Sequence, residues 1–224
     1  MIRSLRALGV ALVGVLAMSA IVASAAHATN AHFKTNASDT ITVEDHPQGG
    51  EQVFETLVGR IECSEFHAVG QAQPTTGGET STTAADATLT EVEYNDCNIG
   101  GLEAEVSFGQ CHYTLHAGVT VSSGVSTGSA DVTSTPGGCV IEIVAVGGLC
   151  TVKVNPQNGL ESITYTNVQT TGKPEEITGH AVVNTIDYEW EGPLCGEGAD
   201  DEGEYVGTFT ARATTGNLTI EDTA

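Results

Sequence analysis

The chain has 224 residues, and its 29 Asp and Glu side chains outnumber 7 Lys and Arg, for a formal net charge of −22. A field of that sign repels nucleic acid and anionic lipid, and it favours cations or a basic component of the cell envelope as partners. Aromatic residues make up only 5% of the chain, which argues against a sugar-binding cleft or a protein-interface hot spot.

Residues 1–28 have the parts of a secretory signal peptide. Two arginines precede an apolar run over residues 7–22, and two A-x-A sites follow it. We expect cleavage after Ala28 or, as the alternative, after Ala25. A bilayer-spanning helix needs about 20 apolar residues and does not normally end in a cleavage site, so we expect no transmembrane anchor. The sequence therefore predicts an exported, extracellular protein in which residues 29–224 form a single all-β domain.

Apolar residues of the mature chain alternate with a period of two, which predicts half-buried strands. The clearest case is residues 102–108 followed by residues 111–115, with residues 109–110 as a type II′ turn between them. In the hairpin that this pattern predicts, Ala104 faces Leu115. All the apolar side chains of the hairpin then fall on one face, which a register shift of one residue would destroy.

Apolar patterns and composition predict further strands and two loops. Residues 150–154 alternate, as do Val182 and every second residue up to Trp190, whereas residues 139–146 are apolar on both faces and predict a central strand covered on both sides. The Ser-, Thr- and Gly-rich residues 122–138 predict a long loop or a seam between two half-domains. A second such loop is predicted at 72–83. Strands with this spacing predict an antiparallel β-sandwich or barrel, stapled by disulfides and without substantial helix after the signal peptide.

All six cysteines lie downstream of the export signal, and none has the spacing of metal ligands. An even number of cysteines in an exported chain predicts disulfides, which persist in an oxidising compartment. Sequence alone does not choose among the possible pairings. Strand placement favours three bridges: Cys63–Cys97, Cys111–Cys195 and Cys139–Cys150.

The densest acidic stretch is residues 187–204, which contain eight acids and no base. Its glycine-rich part, residues 196–204, predicts a loop whose clustered oxygens in flexible backbone suit Ca²⁺, the one cofactor that we consider. The order of the acids does not match an EF-hand, and a solvated acidic loop explains the same composition. The candidate Ca²⁺ ligands are Glu197, Asp200, Asp201, Glu202 and Glu204.

No coherent catalytic set emerges from the sequence. Residues 124–128 match the G-x-S-x-G pattern of serine hydrolases, but no helix pattern follows, and we interpret the match as chance. The predicted hairpin places Glu103 and Glu105 beside His116, which suits proton transfer or a metal but is also ordinary sheet-surface pairing. Two carboxylate pairs fit either glycosidase acids on strands or charges on a solvated strand face: Glu91 with Glu93, and Glu189 with Glu191.

Short motifs run in order through nearly the whole mature chain, interleaved with the cysteines. They are VF at 53–54 with GRIEC at 59–63, VEYNDC at 92–97, GQCHY at 109–113, LCTVKV at 149–154 with PQ at 156–157, ITYTN at 163–167 and GEYVGT at 203–208. In these motifs the chain resembles a family of exported, cysteine-containing all-β proteins of unknown function, with many paralogues in high-GC Gram-positive soil bacteria. The resemblance implies export and a β fold, and it implies no activity.

These observations together favour a secreted, non-catalytic module, either a structural protein associated with the cell envelope or a binder of an unidentified partner. Two hypotheses from other classes remain open. One is a Ca²⁺-dependent extracellular protein that uses the acidic residues 196–204. The other is an extracellular glycan hydrolase on a sandwich scaffold.

Overall fold

A computed structural model describes residues 30–36, 40–46, 50, 52–72, 81–84, 86–134 and 138–222. The signal peptide with both cleavage sites, and most of the loop predicted at 72–83, lie outside the described residues. The described residues form strands and no helix, which confirms the all-β prediction. Within them there is accordingly no helix with the length and apolarity to cross a membrane.

The strands are β1 (Ala31–Asn36), β2 (Thr40–Asp45), β3 (Gln52–Thr56), β4 (Gly59–Ala72), β5 (Ser81–Ala84), β6 (Asp86–Ile99), β7 (Leu102–Ser107), β8 (Cys111–Ser122), β9 (Val125–Ser134), β10 (Ile141–Ala145), β11 (Cys150–Val154), β12 (Gln157–Val168), β13 (Glu176–Gly192), β14 (Gly196–Ala213) and β15 (Thr219–Asp222).

Twelve of these strands close into an antiparallel up-and-down barrel of eight columns. Four columns are single long strands, namely β4, β6, β13 and β14. Each of the other four consists of two short strands that follow one another along the chain: β2 with β3, β7 with β8, β9 with β10, and β11 with β12. Neighbouring columns pair in chain order, and β14 closes the ring by pairing with β2 and β3. The predicted antiparallel fold is therefore present in its barrel form.

The four broken columns are interrupted at one level, near the middle of the long strands, which we call the waist. For example, β6 pairs with β8 over residues 86–89 and with β7 over residues 97–99. Side chains replace backbone partners at such a break. The Gln157 amide donates to the Asp187 carbonyl oxygen at 3.1 Å and accepts from its N–H at 3.0 Å. At this break, the Gln157 side chain therefore supplies hydrogen bonds to the backbone of β13.

The two ends of the barrel differ. At one end the remaining strands form a three-stranded sheet in the order β15, β1, β5, which we call the cap sheet. Its Phe33 packs edge-on against Tyr165, with ring centroids 5.3 Å apart. At the other end the chain turns in four hairpins, and each turn or its edge carries a solvent-exposed leucine: Leu57, Leu102, Leu149 and Leu194.

The predicted hairpin of residues 102–108 with residues 111–115 is wrong in its pairing. A tight turn is present, because the Cys111 N–H donates to the Phe108 carbonyl oxygen at 3.0 Å. However, β7 and β8 are two halves of one column and do not pair with each other: β7 pairs with β6 and β10, and β8 pairs with β6 and β9. A period of two cannot distinguish a hairpin from a break within a column, because the same side chains point into the barrel in both arrangements.

Three further predictions need correction. Residues 122–138 are not a long loop, because β9 occupies residues 125–134 in the barrel wall. The segment 139–146 was predicted to be a central strand covered on both sides. Its strand β10 does have a partner on each edge, β7 and β11, but burial alternates along it, so only one face is covered. In β13 a register shift beside Thr185 changes the parity of the strand, so Ala181 and Val183 point inward where Val182 had been predicted.

The disulfides are Cys63–Cys97, as predicted, and Cys111–Cys139 and Cys150–Cys195, which replace the two wrong predictions. Cys150 lies opposite Ala145 at the hairpin end, whereas Cys139 precedes β10 at the waist. At about 3.3 Å per residue, β10 itself separates these two levels by roughly 16 Å, too far for a bridge. The Cys111–Cys139 bridge instead joins two column breaks.

Candidate functional site

The barrel encloses a cavity of about 130 Å³, lined by residues from all twelve barrel strands. The described residues of its walls are apolar except for Gln52, three tyrosines and the disulfide-bonded Cys63, and none of them carries a charge. An eight-stranded barrel has an interior that is either just filled by side chains or able to hold one small ligand. The cavity is therefore our candidate functional site, and it was not predicted from the sequence.

The break between β2 and β3 supplies the polar side of the cavity. At this break the Asp45 carboxylate accepts the Phe66 N–H at 2.5 Å and the Gln52 amide at 2.9 Å. The Gln52 amide nitrogen also donates to the carbonyl oxygens of Thr208 at 3.1 Å and Gly50 at 3.3 Å. These side chains join β4 and β14 at a level where none of the described strands lies between them, and they fix the orientation of the Gln52 amide.

Three tyrosine hydroxyl groups cluster beside this amide. The Tyr205 hydroxyl donates to Gln52 Oε1, and the Tyr94 and Tyr113 hydroxyl oxygens lie 3.1 Å apart. Gly207 makes the arrangement possible, since a Cβ there would lie 2.2 Å from Gln52 Oε1 and 2.6 Å from the Tyr205 hydroxyl oxygen. We call Gln52, Tyr94, Tyr113 and Tyr205 the tyrosine cluster.

The tyrosine cluster is uncharged at ordinary pH. Burial raises the pKa of Tyr113 to about 12. The pKa of Tyr94 is raised well above its usual range by burial and by the neighbouring hydroxyls of Tyr113 and Tyr205, and burial likewise raises the pKa of Tyr205. All three rings line the cavity and keep part of their surface accessible. The cluster therefore offers neutral hydrogen-bonding groups to whatever enters the cavity.

The predicted grouping of Glu103 and Glu105 with His116 is wrong, because β7 and β8 do not pair. The His116 ring lies instead between two carboxylates, with Nδ1 2.6 Å from Asp86 and Nε2 2.9 Å from Asp131. Only a doubly protonated ring can donate to both. The three side chains connect β6, β8 and β9 on the outside of the barrel, and no sequence pattern marked the two aspartates.

The acidic segment 196–204 is not a loop, because it is the first half of β14. A strand rises about 3.3 Å per residue and points successive side chains to opposite faces, so its carboxylates spread over roughly 23 Å. Among the described residues no group of three or more His, Cys, Asp or Glu side chains is placed to hold a metal ion. The five candidate ligands that lie along this strand are Glu197, Asp200, Asp201, Glu202 and Glu204.

The G-x-S-x-G match has a structural explanation. Gly124 forms the β8–β9 turn with a φ of 73°. Gly128 leaves room for the Tyr165 ring, whose Cε2 would lie 2.4 Å from a Cβ at that position. Ser126 is 1% exposed in β9, and its hydroxyl has no hydrogen-bond partner in the described part of the chain. These residues serve the packing of the strand.

The two predicted carboxylate pairs lie on outward-facing positions. Glu91 and Glu93 are exposed on β6. Glu189 and Glu191 are exposed on β13, and Glu191 forms an ion pair with Lys153 at 2.5 Å. Neither pair lines the cavity.

Compared with known proteins, the chain matches no family model, no curated protein and no solved structure. The interpretation of the cavity therefore depends on its size, its lining and its hydrogen-bonding groups.

Proposed function

We propose that this protein is an exported, non-catalytic binding module that holds one small, largely apolar molecule inside its barrel. The observation that carries the proposal is the cavity at the waist, with apolar walls and one polar corner. Ligand sites in proteins are typically of this kind, with a few polar groups that orient a ligand in an apolar pocket. The size of the cavity restricts the ligand to about one ring, since a cavity of roughly 150 Å³ binds benzene.

Export is supported by the signal-peptide pattern of residues 1–28 and by three disulfides, which are typical of oxidising compartments. The non-catalytic role is supported by the chemistry of the cavity, whose polar groups are neutral phenols and an amide. An untargeted activity screen of the purified protein tests this part, because turnover of any substrate at an enzyme-like rate would contradict it.

Binding in the cavity is tested by the melting temperature of the disulfide-bonded protein with benzene, toluene and phenol. A ligand that binds only the folded state raises the melting temperature, and the rise grows with the ratio of ligand concentration to its Kd. The matched controls are Ala181→Leu and Val132→Ile, which add apolar atoms to the cavity wall. We expect a rise with the unmodified protein and a smaller rise, or none, with the filled variants. No rise with any compound, or an equal rise in both filled variants, would contradict the proposal.

A further inference from the structure

The tyrosine cluster restricts the chemical class of ligand that the cavity can hold. The orientation of the Gln52 amide determines which hydrogen-bonding groups of the cluster remain free. Three acceptor oxygens surround its amide nitrogen, so the opposite end, Oε1, must face Tyr205. The Tyr205 hydroxyl donates its single proton to that oxygen. Tyr205 therefore has no proton left for a ligand, and its oxygen can only accept.

Tyr94 and Tyr113 have two hydroxyl protons between them. One of these protons lies in the hydrogen bond that joins the two oxygens at 3.1 Å. The second either goes from Tyr94 to the neighbouring Tyr205 oxygen or remains free on Tyr113. The three hydroxyl groups together thus present at most one free donor but several free lone pairs. A ligand that donates a hydrogen bond fits this cluster better than one that only accepts.

The ligand must also be neutral. None of the described residues that line the cavity carries a charge. The Asp45 carboxylate beside Gln52 already accepts from Gln52 with one oxygen and from the Phe66 N–H with the other. An ion moved from water into such a cavity would lose its hydration without gaining a counter-ion, which costs far more than burial of a neutral hydroxyl group.

Aromatic rings frame this corner of the cavity. The ring centroids of Phe66 and Tyr94 lie 4.9 Å apart, and Tyr94 and Tyr113 meet at their hydroxyl groups. Aromatic walls favour an aromatic guest through offset and edge-on contacts. We propose that the cavity selects a small neutral phenol, a single aromatic ring whose hydroxyl group donates to the tyrosine cluster. This inference rests on the proposed function.

Calorimetric titration with three probes of similar size tests the inference: phenol, toluene and benzoate. One additional hydrogen bond is worth about 1 kcal/mol, so we expect phenol to bind roughly 5-fold more tightly than toluene. Benzoate should not bind. Tyr113→Phe and Tyr94→Phe should each reduce the ratio of phenol affinity to toluene affinity. Tyr165→Phe is the matched control, since this buried tyrosine does not line the cavity, and it should keep the preference.

The outcomes separate the two proposals. Equal affinity for phenol and toluene, or a preference that persists in both Tyr113→Phe and Tyr94→Phe, would overturn the phenol inference and leave the binding cavity intact. Binding of benzoate as tight as that of phenol would overturn it as well. If neither phenol nor toluene binds, the proposed function fails together with the inference.

Discussion

At the scale of single residues, His116 should make stability depend on pH. Burial lowers its pKa, but the hydrogen bonds and charges of Asp86 and Asp131 outweigh burial and raise the pKa above its usual 6.5. A raised pKa in the folded state means that the contribution is complete below pH 6.5 and is lost as pH rises through the higher folded value. We expect His116→Asn to cost about 1 kcal/mol below this range and less above it.

Urea unfolding of both proteins at a series of pH values measures this difference. All titrating groups except His116 are common to the two proteins, so the difference between them reports on His116 together with its partners Asp86 and Asp131. A difference that stays constant from about pH 5 to about pH 9, or that grows with pH, would contradict the assigned role.

Substitution of Tyr165, unlike that of His116, should not reduce stability. Its hydroxyl is buried and has no hydrogen-bond partner among the described residues. A buried polar group without a partner costs about 1–3 kcal/mol, and its removal restores part of that. We expect Tyr165→Phe to leave the free energy of unfolding unchanged or to raise it by about 1 kcal/mol. Tyr113→Phe should lower it, because the Tyr94 hydroxyl loses its partner. A clear loss of stability in Tyr165→Phe would indicate a bound water at that hydroxyl.

At the scale of elements, the strands were more predictable than their pairing. Alternation identified the inward faces of β7, β8 and β11, because burial on one side of a strand imposes a period of two. It could not show that residues 108–110 continue a column, because a hairpin would keep the same residues inside. The bulge beside Thr185 adds a residue that no local signal marks. Both wrong disulfides and the wrong grouping around His116 follow from that missing connectivity.

The tyrosine cluster could not be predicted for the same reason. Its members come from β3, β6, β8 and β14, and the breaks at the waist bring them together. In the sequence each tyrosine is one more apolar position in an alternating strand. Asp45 and Gln52 have no pattern that distinguishes them from other surface polar residues. Only the closed barrel gives these residues a shared role.

The disulfides give a prediction at this scale. Cys150–Cys195 joins the β10–β11 turn to the β13–β14 turn, where the Leu194 N–H also donates to the Leu149 carbonyl oxygen at 3.1 Å. We expect the double variant Cys150→Ser, Cys195→Ser to lose about 2–4 kcal/mol of stability. Non-reducing peptide mapping of the unmodified protein checks the pairing itself. Recovery of a peptide that links Cys111 to Cys195, or Cys139 to Cys150, would contradict it.

At the scale of the whole molecule, the net charge of −22 should make stability sensitive to salt. Screening reduces repulsion among the acids, so the melting temperature should rise with ionic strength. Because the acids of residues 196–204 are spread along β14, CaCl₂ should give the same rise as NaCl at matched ionic strength. A larger rise with CaCl₂ that disappears in Glu197→Gln or Asp201→Asn would instead support the Ca²⁺ hypothesis.

On our proposal, a small molecule can enter the apolar cavity at the waist of the barrel. Crystals pressurised with xenon test it most directly, because xenon occupies apolar cavities and is located by its anomalous scattering. We expect one strong xenon peak inside the barrel, among Leu89, Ile143 and Val183 and beside the tyrosine cluster. A barrel interior with no xenon peak, filled by its own side chains at the waist, would contradict it.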